Sequence, residues 1–354
     1  MGKCQQVGML DFSFLLTPEQ GGPEFLFVFS TAFDICTDIA VLALGACLNM
    51  AIFALMCQYI LWFRAGSMVQ EQELRKRILR DACREDIEEF PKDKQSSDKR
   101  INGVLRQLLV DDEHGVIYCF IPKVACTNLR RLFLALNHGK PYPDLMSISS
   151  EEAHNPEGLP RLASYSKDER EAKLKHYTKF MFVREPFVRL VSAFRDKFLT
   201  PNQVFYERFG RLFLRRYSNQ SDPPLNVEEA FVSGIQPTFY NFVQYLLDPR
   251  TTLTDPFEPH WRQMHRLCQP CFIEYDFIGH QERLQEDALQ LITSLNLQEL
   301  IKFPSAYENV TYLASLSEWF KAVPLEDRRR LYKLYEKDYK LFGYKIPYFL
   351  LNNI

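Results

Sequence analysis

Residues 116–136 read VIYCFIPKVACTNLRRLFLAL and contain the three parts of one supersecondary unit. Val116–Ile121 is a continuous apolar run, which is typical of a buried strand, and Asn128–Leu136 has the apolar spacing of a helix. The loop Pro122–Asn128 joins them. A short loop between a buried strand and a helix brings free backbone N–H groups and the positive end of the helix to one point. The stretch therefore predicts an anion site within an α/β fold.

Further buried strands and helices follow along the chain. FMFV at 180–183 is a second apolar run, and a third strand is expected around Phe272–Ile278. Helical patterns occupy Phe187–Phe198 and Leu284–Leu295. Buried strands that alternate with helices predict an α/β domain with a central, mainly parallel sheet flanked by helices. In such sheets, ligands bind beyond the carboxyl ends of the strands.

The loop after the first strand carries side chains that suit an anion. Lys123 supplies a mobile positive charge, and Thr127 supplies a hydroxyl at the start of the helix. The arrangement resembles a P-loop, but a Walker A motif requires glycines, and no glycine lies between Gly115 and Gly139. The alternative is a lysine-containing loop in which Thr127 only caps the helix.

A second group of polar side chains follows the FMFV strand. Arg184 lies where the strand ends, and Pro186 suits the first turn of the next helix. Arg189 and Ser192 are three residues apart and share a helix face. Together with Arg184 they offer two guanidinium groups and one hydroxyl, a fork that fits a phosphate. The alternative is a surface helix on which Glu185 and Arg189 form an ion pair one turn apart.

The charge balance limits the classes of partner. The chain has 43 Lys and Arg against 45 Asp and Glu, a formal net charge of −2. A protein that coats nucleic acid needs a strong basic excess, so no nucleic-acid partner is expected. A local basic cleft for an anionic ligand is compatible with this total. Nine cysteines in 354 residues are too few for a small fold built on disulfides.

The chain divides into four segments. Residues 1–38 form an N-terminal tail, and residues 39–63 are 25 positions without a charged residue, which predicts one transmembrane helix. Residues 64–100 form a charged stem, in which Val69–Glu89 is expected to be a solvated helix. Residues 101–354 have the size of a catalytic domain.

Two further expectations concern the segments next to the predicted span. Ile101–Val110 has the alternation of a short amphipathic helix. Basic residues follow the span, beginning with Arg64, whereas mostly acidic residues precede it. Taken alone, the positive-inside rule would therefore place the large C-terminal part in the cytosol.

Several motifs in one order resemble those of the Golgi carbohydrate sulfotransferases, most nearly the chondroitin/dermatan 4-O-sulfotransferase branch. The main ones are YCFIPKVACTN and KFMFVREPFVRLVSAFRDKF. The others are LVDDEHGVIYC, NFVQYLLDP, PHWR, LCQPC, YDFIG and LYKLYEKDYKLFGY. Together they cover roughly residues 108–345. One departure is Leu129, which stands where the family usually has tryptophan.

The resemblance implies an enzyme that uses 3′-phosphoadenylyl sulfate (PAPS) as sulfuryl donor. The 5′-phosphosulfate would be bound by Pro122, Lys123, Val124, Ala125, Cys126, Thr127 and Asn128. The 3′-phosphate would be bound by Arg184, Glu185, Pro186, Phe187, Val188, Arg189, Leu190, Val191 and Ser192. In this reading, residues 101–354 are the sulfotransferase domain.

The resemblance also implies an acceptor and a location. The acceptor would be a hydroxyl of an acidic polysaccharide of the chondroitin/dermatan type, with the 4-hydroxyl of N-acetylgalactosamine favoured. Terminal N-acetylgalactosamine of glycoproteins is an alternative, and on physical grounds alone a nucleotide kinase or a membrane-anchored lectin would be further ones. Family members are single-pass type II proteins of the Golgi membrane with a luminal catalytic domain, and the sequons at Asn219 and Asn309 agree with a luminal position. The oligomeric state is left open.

Transfer to a hydroxyl requires a general base, for which two histidines are candidates. His154 lies in the polar segment Glu151–Asn155 and ranks slightly ahead of His260, which precedes Trp261. Lys123 is expected to be catalytic because it can stabilise the charge that develops on the leaving group.

No metal is expected. Cys268 and Cys271 lack a second ligand pair, so a disulfide or an inert structural pair is favoured over zinc. Five cysteines follow the predicted span, at 83, 119, 126, 268 and 271, so at least one should be free or intermolecular.

Overall fold

Four strands form one mixed sheet in the order β1-β2-β3-β4. They span Leu108–Asp111, Val116–Cys119, Thr178–Val183 and Phe277–His280. β1 pairs antiparallel with β2, whereas β2 with β3 and β3 with β4 pair in parallel. Every residue of β1 and β2 is buried, because helices or loops cover both faces of the sheet. Two of the three pairings are parallel, as the sequence predicts.

The computed structural model describes residues 69–85, 101–155, 159–254, 257–304 and 311–352. The α-helices in these ranges are α1 (69–85), α2 (101–105), α3 (Cys126–His138), α4 (Ser150–His154), α5 (Lys167–His176), α6 (Pro186–Phe198), α7 (Gln203–Phe205), α8 (Arg211–Tyr217), α9 (Val227–Val232), α10 (Phe239–Leu247), α11 (Pro249–Thr254), α12 (Met264–Cys268), α13 (Leu284–Ser294), α14 (Leu316–Phe320), α15 (Leu325–Leu341) and α16 (Tyr348–Leu351). A π-helical turn spans Tyr206–Gly210, and 3₁₀ turns span Leu145–Ser147, Leu162–Ser164, Gln281–Arg283 and Leu313–Ser315.

The three helices predicted after the strands are confirmed. α3, α6 and α13 each begin and end within two residues of the predicted bounds. Pro186 is the first residue of α6, and the Glu185 carboxylate caps the helix by accepting the backbone N–H of Val188 at 2.6 Å. Each helix follows a strand, so its first turn lies at the carboxyl end of the parallel part of the sheet.

The expectation of a helix over Ile101–Val110 is wrong in its second half. Helix α2 ends at residue 105, and the chain then enters β1 at Leu108. Leu108, Leu109 and Val110 are at most 2% exposed. These three consecutive apolar residues are buried on both faces of the sheet, and pairing with β2 overrides the local helical spacing.

The third predicted strand begins later than expected. Instead of an extended Phe272–Ile278, the backbone N–H groups of Phe272 and Ile273 turn back to the carbonyl oxygen of Gln269 at 2.9 and 3.0 Å. β4 starts only at Phe277. The turn is set by Gln269, whose backbone φ of 46° ends helix α12 in the left-handed region.

One face of α1 covers the open edge of β4. The side-chain amide of Gln72 donates to the carbonyl oxygen of Ile278 at 3.1 Å and accepts the Ile278 N–H at 3.0 Å. Arg75 donates to the same carbonyl oxygen at 2.8 Å and to Asp287 at 2.6 Å. Gln72 thereby pairs with both backbone groups of Ile278, as a residue of a neighbouring strand would. The helix predicted over Val69–Glu89 is present from 69 to 85, and residues 86–89 lie outside the described residues. The expectation that it is solvated is wrong for the face that carries Gln72 and Arg75, which are buried.

Two disulfides connect distant parts of the chain. Cys83 of α1 bonds to Cys271, and Cys119 of β2 bonds to Cys268. Cys268 and Cys271 are thus in disulfides, as favoured over zinc, but a disulfide between the two is wrong, because each bonds to a cysteine of a different element. Cys126 is the free cysteine of the part of the chain described, as the odd count after the predicted span requires.

An aromatic layer packs against α6 on the far side from the sheet. Trp261 is fully buried, and its ring lies 4.8 Å from that of Phe209 and 5.4 Å from that of Phe242, between centroids. Phe194 and Phe198 of α6 belong to the same cluster. This layer fixes the residues next to Trp261 against the helix that follows β3.

The predicted tail 1–38 and transmembrane segment 39–63 lie outside the described residues, as do residues 64–68 and 86–100 of the predicted stem. Among the helices that the structure describes, none combines the length and the apolar character needed to cross a bilayer.

Candidate functional site

The loop between β2 and α3 makes a tight turn without glycine. Lys123 has φ of 69° and Ala125 has φ of 48°, both in the left-handed region that such residues rarely adopt. Ala125 is the N-cap of α3 and provides no side-chain cap. Thr127 is the second residue of the helix, so it does not cap it. The first N–H groups of α3 are therefore left for a ligand or water.

Arg189 of α6 holds this loop in place through a hydrogen bond to its backbone. Its side chain is 1% exposed and donates from Nε to the carbonyl oxygen of Pro122 at 3.0 Å. The other two nitrogens donate to the carbonyl oxygens of Arg262 and Pro259, each at 2.7 Å. This guanidinium ties the loop to the segment before α12. No ion pair between Arg189 and Glu185 exists among the described contacts; Glu185 instead accepts a hydrogen bond from Tyr339.

Arg184 connects the same loop to a neighbouring cavity. It donates to the carbonyl oxygen of Lys123 at 3.0 Å and to that of Thr311 at 2.7 Å. Burial lowers the pKa of Arg184 to about 10, so the group stays charged near neutral pH. Two of the five N–H donors of a guanidinium are used in these bonds, which leaves others for a ligand.

A cavity of about 640 Å³ opens beside Arg184, beyond the carboxyl ends of β3 and β4. Tyr312, Tyr344 and Ile346 provide part of its apolar wall. Its charged lining consists of three basic and three acidic residues: Arg184, Arg283, Lys345, Glu185, Glu282 and Glu286. A cavity of this volume, with apolar walls and a few charged groups, suits a small organic ligand.

Lys123 lies in a small charge cluster at the mouth of the loop. Its ammonium group is 3.2 Å from a carboxylate oxygen of Asp196, and Lys197 is 2.9 Å from the same oxygen. Burial acts to raise the pKa of Asp196, but the two ammonium groups hold it below its ordinary value. The ionised carboxylate therefore keeps two positive charges close together at the site.

The remaining residues of the second motif have different surroundings. Phe187, Val188, Leu190 and Val191 are buried in the core and support α6. Ser192 is half-buried, and its hydroxyl has no protein hydrogen-bond partner in the ranges described. The structure thus brings Arg184 and Lys123 together through one hydrogen bond, while Arg189 is fully engaged with carbonyl oxygens.

His154 and Cys126 interact on the other side of the loop. His154 is exposed at the end of α4, and its Nδ1 lies 2.6 Å from the carbonyl oxygen of Ser150. The thiol of Cys126 is the main cause that raises the pKa of His154. Burial acts to raise the pKa of Cys126, but His154 and Lys123 hold it below its ordinary value.

Sequence reasoning missed several residues of the site. Asp196, Tyr312 and Lys345 were not predicted, although Asp196 stands conspicuously between two basic residues at 195 and 197. Tyr312 and Lys345 are far apart in the sequence and meet only at the cavity. No local pattern marks them.

A second cavity, of about 710 Å³, lies between α1, α12 and α15. Its charged lining includes Arg266 and Lys340, and it contains none of the predicted PAPS-binding residues. Within the described ranges, no group of three or more His, Cys, Asp or Glu side chains is placed to hold a metal ion.

Comparison with known proteins gives consistent matches. The model of the sulfotransferase family matches residues 106–345. Carbohydrate sulfotransferase 12 of Mus musculus is 45% identical over 296 residues, which are 80% of this chain and 71% of that protein. Carbohydrate sulfotransferase 11 of Rattus norvegicus is 40% identical over 248 residues, 70% of this chain and 69% of that protein. No solved structure matches the chain.

Proposed function

The chain belongs to the sulfotransferase family, and on that premise we propose that it transfers a sulfuryl group from PAPS to a glycosaminoglycan of the chondroitin/dermatan type. The acceptor group is the 4-hydroxyl of N-acetylgalactosamine. The names of these relatives support a carbohydrate acceptor. The resemblance of the two loop motifs to the 4-O branch supports the choice of hydroxyl.

One observation carries the proposal. Arg184 donates to the carbonyl oxygen of Lys123 and also lines the 640 Å³ cavity, so the anion loop and the cavity meet at one guanidinium group. A donor with a phosphosulfate at one end and an adenosine 3′-phosphate at the other matches this pair of sites. The loop 122–128 binds the phosphosulfate, Arg184 and Ser192 bind the 3′-phosphate, and Tyr312 packs against the base.

The protein contributes mainly position and charge to such a transfer. PAPS supplies an activated sulfuryl group on a good leaving group. Lys123 and the free N–H groups of α3 stabilise negative charge at the phosphate that is left behind. Arg189 keeps the loop in its left-handed turn, so these donors do not have to reorganise during the reaction.

We place the protein in the Golgi membrane as a single-pass type II protein with a luminal catalytic domain. The uncharged segment 39–63 supports an anchor, and the two disulfides support an oxidising compartment. An acidic polysaccharide acceptor requires basic groups near the site. Lys197, which is close to Lys123, is one such group.

Transfer of labelled sulfate from PAPS to desulfated chondroitin tests the function. The full chain in membranes is compared on desulfated chondroitin, dermatan and a glycoprotein with terminal N-acetylgalactosamine, and disaccharide analysis identifies the modified hydroxyl. Phosphotransfer from ATP is measured in parallel. Sulfate on the 4-hydroxyl supports the proposal, phosphate transfer would support a kinase, and neither would support a binding protein.

Arg184→Ala is expected to raise the KM for PAPS with a smaller effect on kcat. The 3′-phosphate is remote from the reacting sulfur, so its contact contributes to binding in both the ground and the transition state. The variant should also lose preference for adenosine 3′,5′-bisphosphate over the nucleotide without the 3′-phosphate. Calorimetry with both nucleotides measures this.

The matched control is Arg195→Ala. Arg195 donates to the Thr311 hydroxyl at 2.8 Å but does not line the cavity. It should keep the nucleotide preference. An Arg184→Ala protein with the full preference would show that another residue recognises the 3′-phosphate.

Asn219 is expected to carry an N-linked glycan. It and Ser221 are exposed after α8, and Asn219 has φ of 53° in a surface turn. Asn309, the second predicted site, lies outside the described residues. Glycosidase treatment should lower the apparent mass of the wild-type protein, and Asn219→Gln should remove part of that shift. Digestion of the domain by protease while Golgi membranes are sealed would contradict a luminal position.

A further inference from the structure

Glu258 and His260 form a hydrogen-bonded pair in the segment before α12. The Nδ1 atom of His260 lies 2.9 Å from both carboxylate oxygens of Glu258, and the backbone N–H of His260 donates to the same carboxylate at 2.7 Å. Glu258 is 9% exposed and His260 is 24% exposed. The carboxylate therefore keeps the proton on Nδ1 and leaves Nε2 as the free basic atom.

The packing around His260 fixes the plane of its ring. The next residue, Trp261, is fully buried in the aromatic layer, and the ring of Phe205 meets His260 edge-to-face at 5.3 Å between centroids. Nε2 has no hydrogen-bond partner in the described part of the chain and is not a buried, unsatisfied atom. A reacting group can therefore reach it.

A continuous set of contacts joins His260 to Lys123. The ring of Phe205 contacts His260 on one side. The ammonium group of Lys197 lies 4.8 Å from the centre of the Phe205 ring. Lys197 pairs with Asp196, which pairs with Lys123. The imidazole thus lies next to the charge cluster at the mouth of the loop, close enough for the charges of Lys197 and Lys123 to act on it.

The charges that face His260 favour its neutral form. Burial is the main cause that lowers the pKa of His260; Glu258 opposes it, while Lys197 and Lys123 add to it. Asp196 is ionised and offsets part of the two ammonium charges. An imidazole with a pKa below its ordinary value of about 6.5 is largely unprotonated near neutral pH, as a general base must be.

We propose that His260 is the general base of the sulfuryl transfer and that Glu258 is its positioning residue. The proposal rests on the proposed function. The acceptor hydroxyl gives its proton to Nε2 as its oxygen forms a bond to sulfur. The bond between sulfur and the phosphate oxygen of the donor breaks, and its electron pair stays on that oxygen, next to Lys123. The products are the sulfate ester, adenosine 3′,5′-bisphosphate and an imidazolium that Glu258 stabilises.

His154 is the competing candidate, and it differs from His260 in the direction of its pKa shift and in the group that orients its ring. The thiol of Cys126 raises the pKa of His154, so more of this imidazole is protonated near neutral pH. Its Nδ1 is directed to a backbone carbonyl oxygen, and no carboxylate orients it among the described contacts. The structure thus favours the candidate that the sequence ranks second.

The first test compares steady-state kinetics and pH profiles of the full chain and four variants, one of which is His154→Gln for the competing candidate. His260→Gln should lower kcat by roughly 100- to 10,000-fold, the usual contribution of a general base, with nucleotide affinity unchanged. Glu258→Gln should lower kcat less and move the acid limb of the pH profile to lower pH, because the carboxylate that raises the His260 pKa is gone. His176→Gln, at an exposed position of α5, should behave as wild type.

A second measurement does not depend on turnover. Diethyl pyrocarbonate reacts with neutral imidazole, so the pH dependence of carbethoxylation at each histidine, followed by peptide mass spectrometry, gives its pKa in the wild-type protein. The midpoint at His260 should lie below 6.5 and match the acid limb of kcat/KM. Because it uses the wild-type protein, this measurement tests the proposal even if His260→Gln does not fold.

The outcomes distinguish failure of the His260 assignment from failure of the proposed function. Sulfate transfer by wild type together with kcat of His260→Gln within fivefold would overturn the assignment and leave the function intact. Loss of the acid limb in His154→Gln, but not in His260→Gln, would overturn it in favour of His154. A carbethoxylation midpoint at His260 that differs from the pKa of the acid limb would also overturn the assignment of His260. Absence of transfer by wild type to every acceptor would remove the function and this proposal with it.

Discussion

Lys123→Ala is expected to lower kcat by about 100-fold or more while the domain stays folded, because one charge-stabilising contact at the leaving group is lost. The ammonium group contacts Asp196 at the mouth of the loop, and the side chain is 20% exposed. The bond from Arg184 goes to the backbone carbonyl oxygen of residue 123, which alanine retains. The loss should therefore appear in turnover and not in stability.

Steady-state kinetics and thermal melting of the same preparations measure this result. Lys197→Ala is the matched control, since Lys197 pairs with the same carboxylate of Asp196 but lies on α6 instead of the loop. It should lose less than tenfold in kcat. A folded Lys123→Ala enzyme with near wild-type turnover would contradict the role given to the loop.

Arg189→Ala is expected to destabilise the domain by about 3–5 kcal/mol, because three carbonyl oxygens lose a charged donor at once and the fully buried side chain leaves a cavity. In a domain of this size the melting temperature should fall by roughly 10 °C. The loop 122–128 should also lose its turn, so activity should fall even well below the melting temperature.

Arg195→Ala on the same helix is the control for Arg189→Ala. Arg195 is half-buried and makes one described side-chain bond, to the Thr311 hydroxyl, so its loss should cost only about 1 kcal/mol. Arg189→Lys should rescue little, since one ammonium group cannot reproduce three bonds in a planar fork. An Arg189→Ala protein that melts like wild type would show that the loop is held by other contacts.

The local parts of the fold and the family were accessible from the sequence. The apolar strands, the helices that follow them and the loop sequences between them are local patterns. β2, β3 and the three helices formed within two residues of their predicted bounds, whereas β4 begins five residues later than predicted. The resemblance drawn from those letters is confirmed by the family match over residues 106–345. Strand β1 was mistaken for the end of a helix because only its pairing with β2 distinguishes the two.

The site depended on contacts that no local pattern contains. From the sequence, Arg184 and Arg189 look equivalent. In the structure Arg184 lines a cavity, whereas the guanidinium of Arg189 donates hydrogen bonds to three carbonyl oxygens. Similarly, Cys268 and Cys271 are neighbours whose partners, Cys119 and Cys83, are 149 and 188 residues away.

The sequence by itself determined where β2, β3 and the helices after the strands form, because these depend on the period of apolar residues and on a few adjacent residues. The tertiary structure alone decided which polar side chains are free to act. His260 has its carboxylate two residues away, but burial is the main cause of its lowered pKa, and Lys197 and Lys123 add to that effect. Packing also places Phe205 between His260 and Lys197. Whether a side chain can act as a general base, bind a ligand or only support the fold depends on its burial and on neighbours distant in the sequence. Folding sets both.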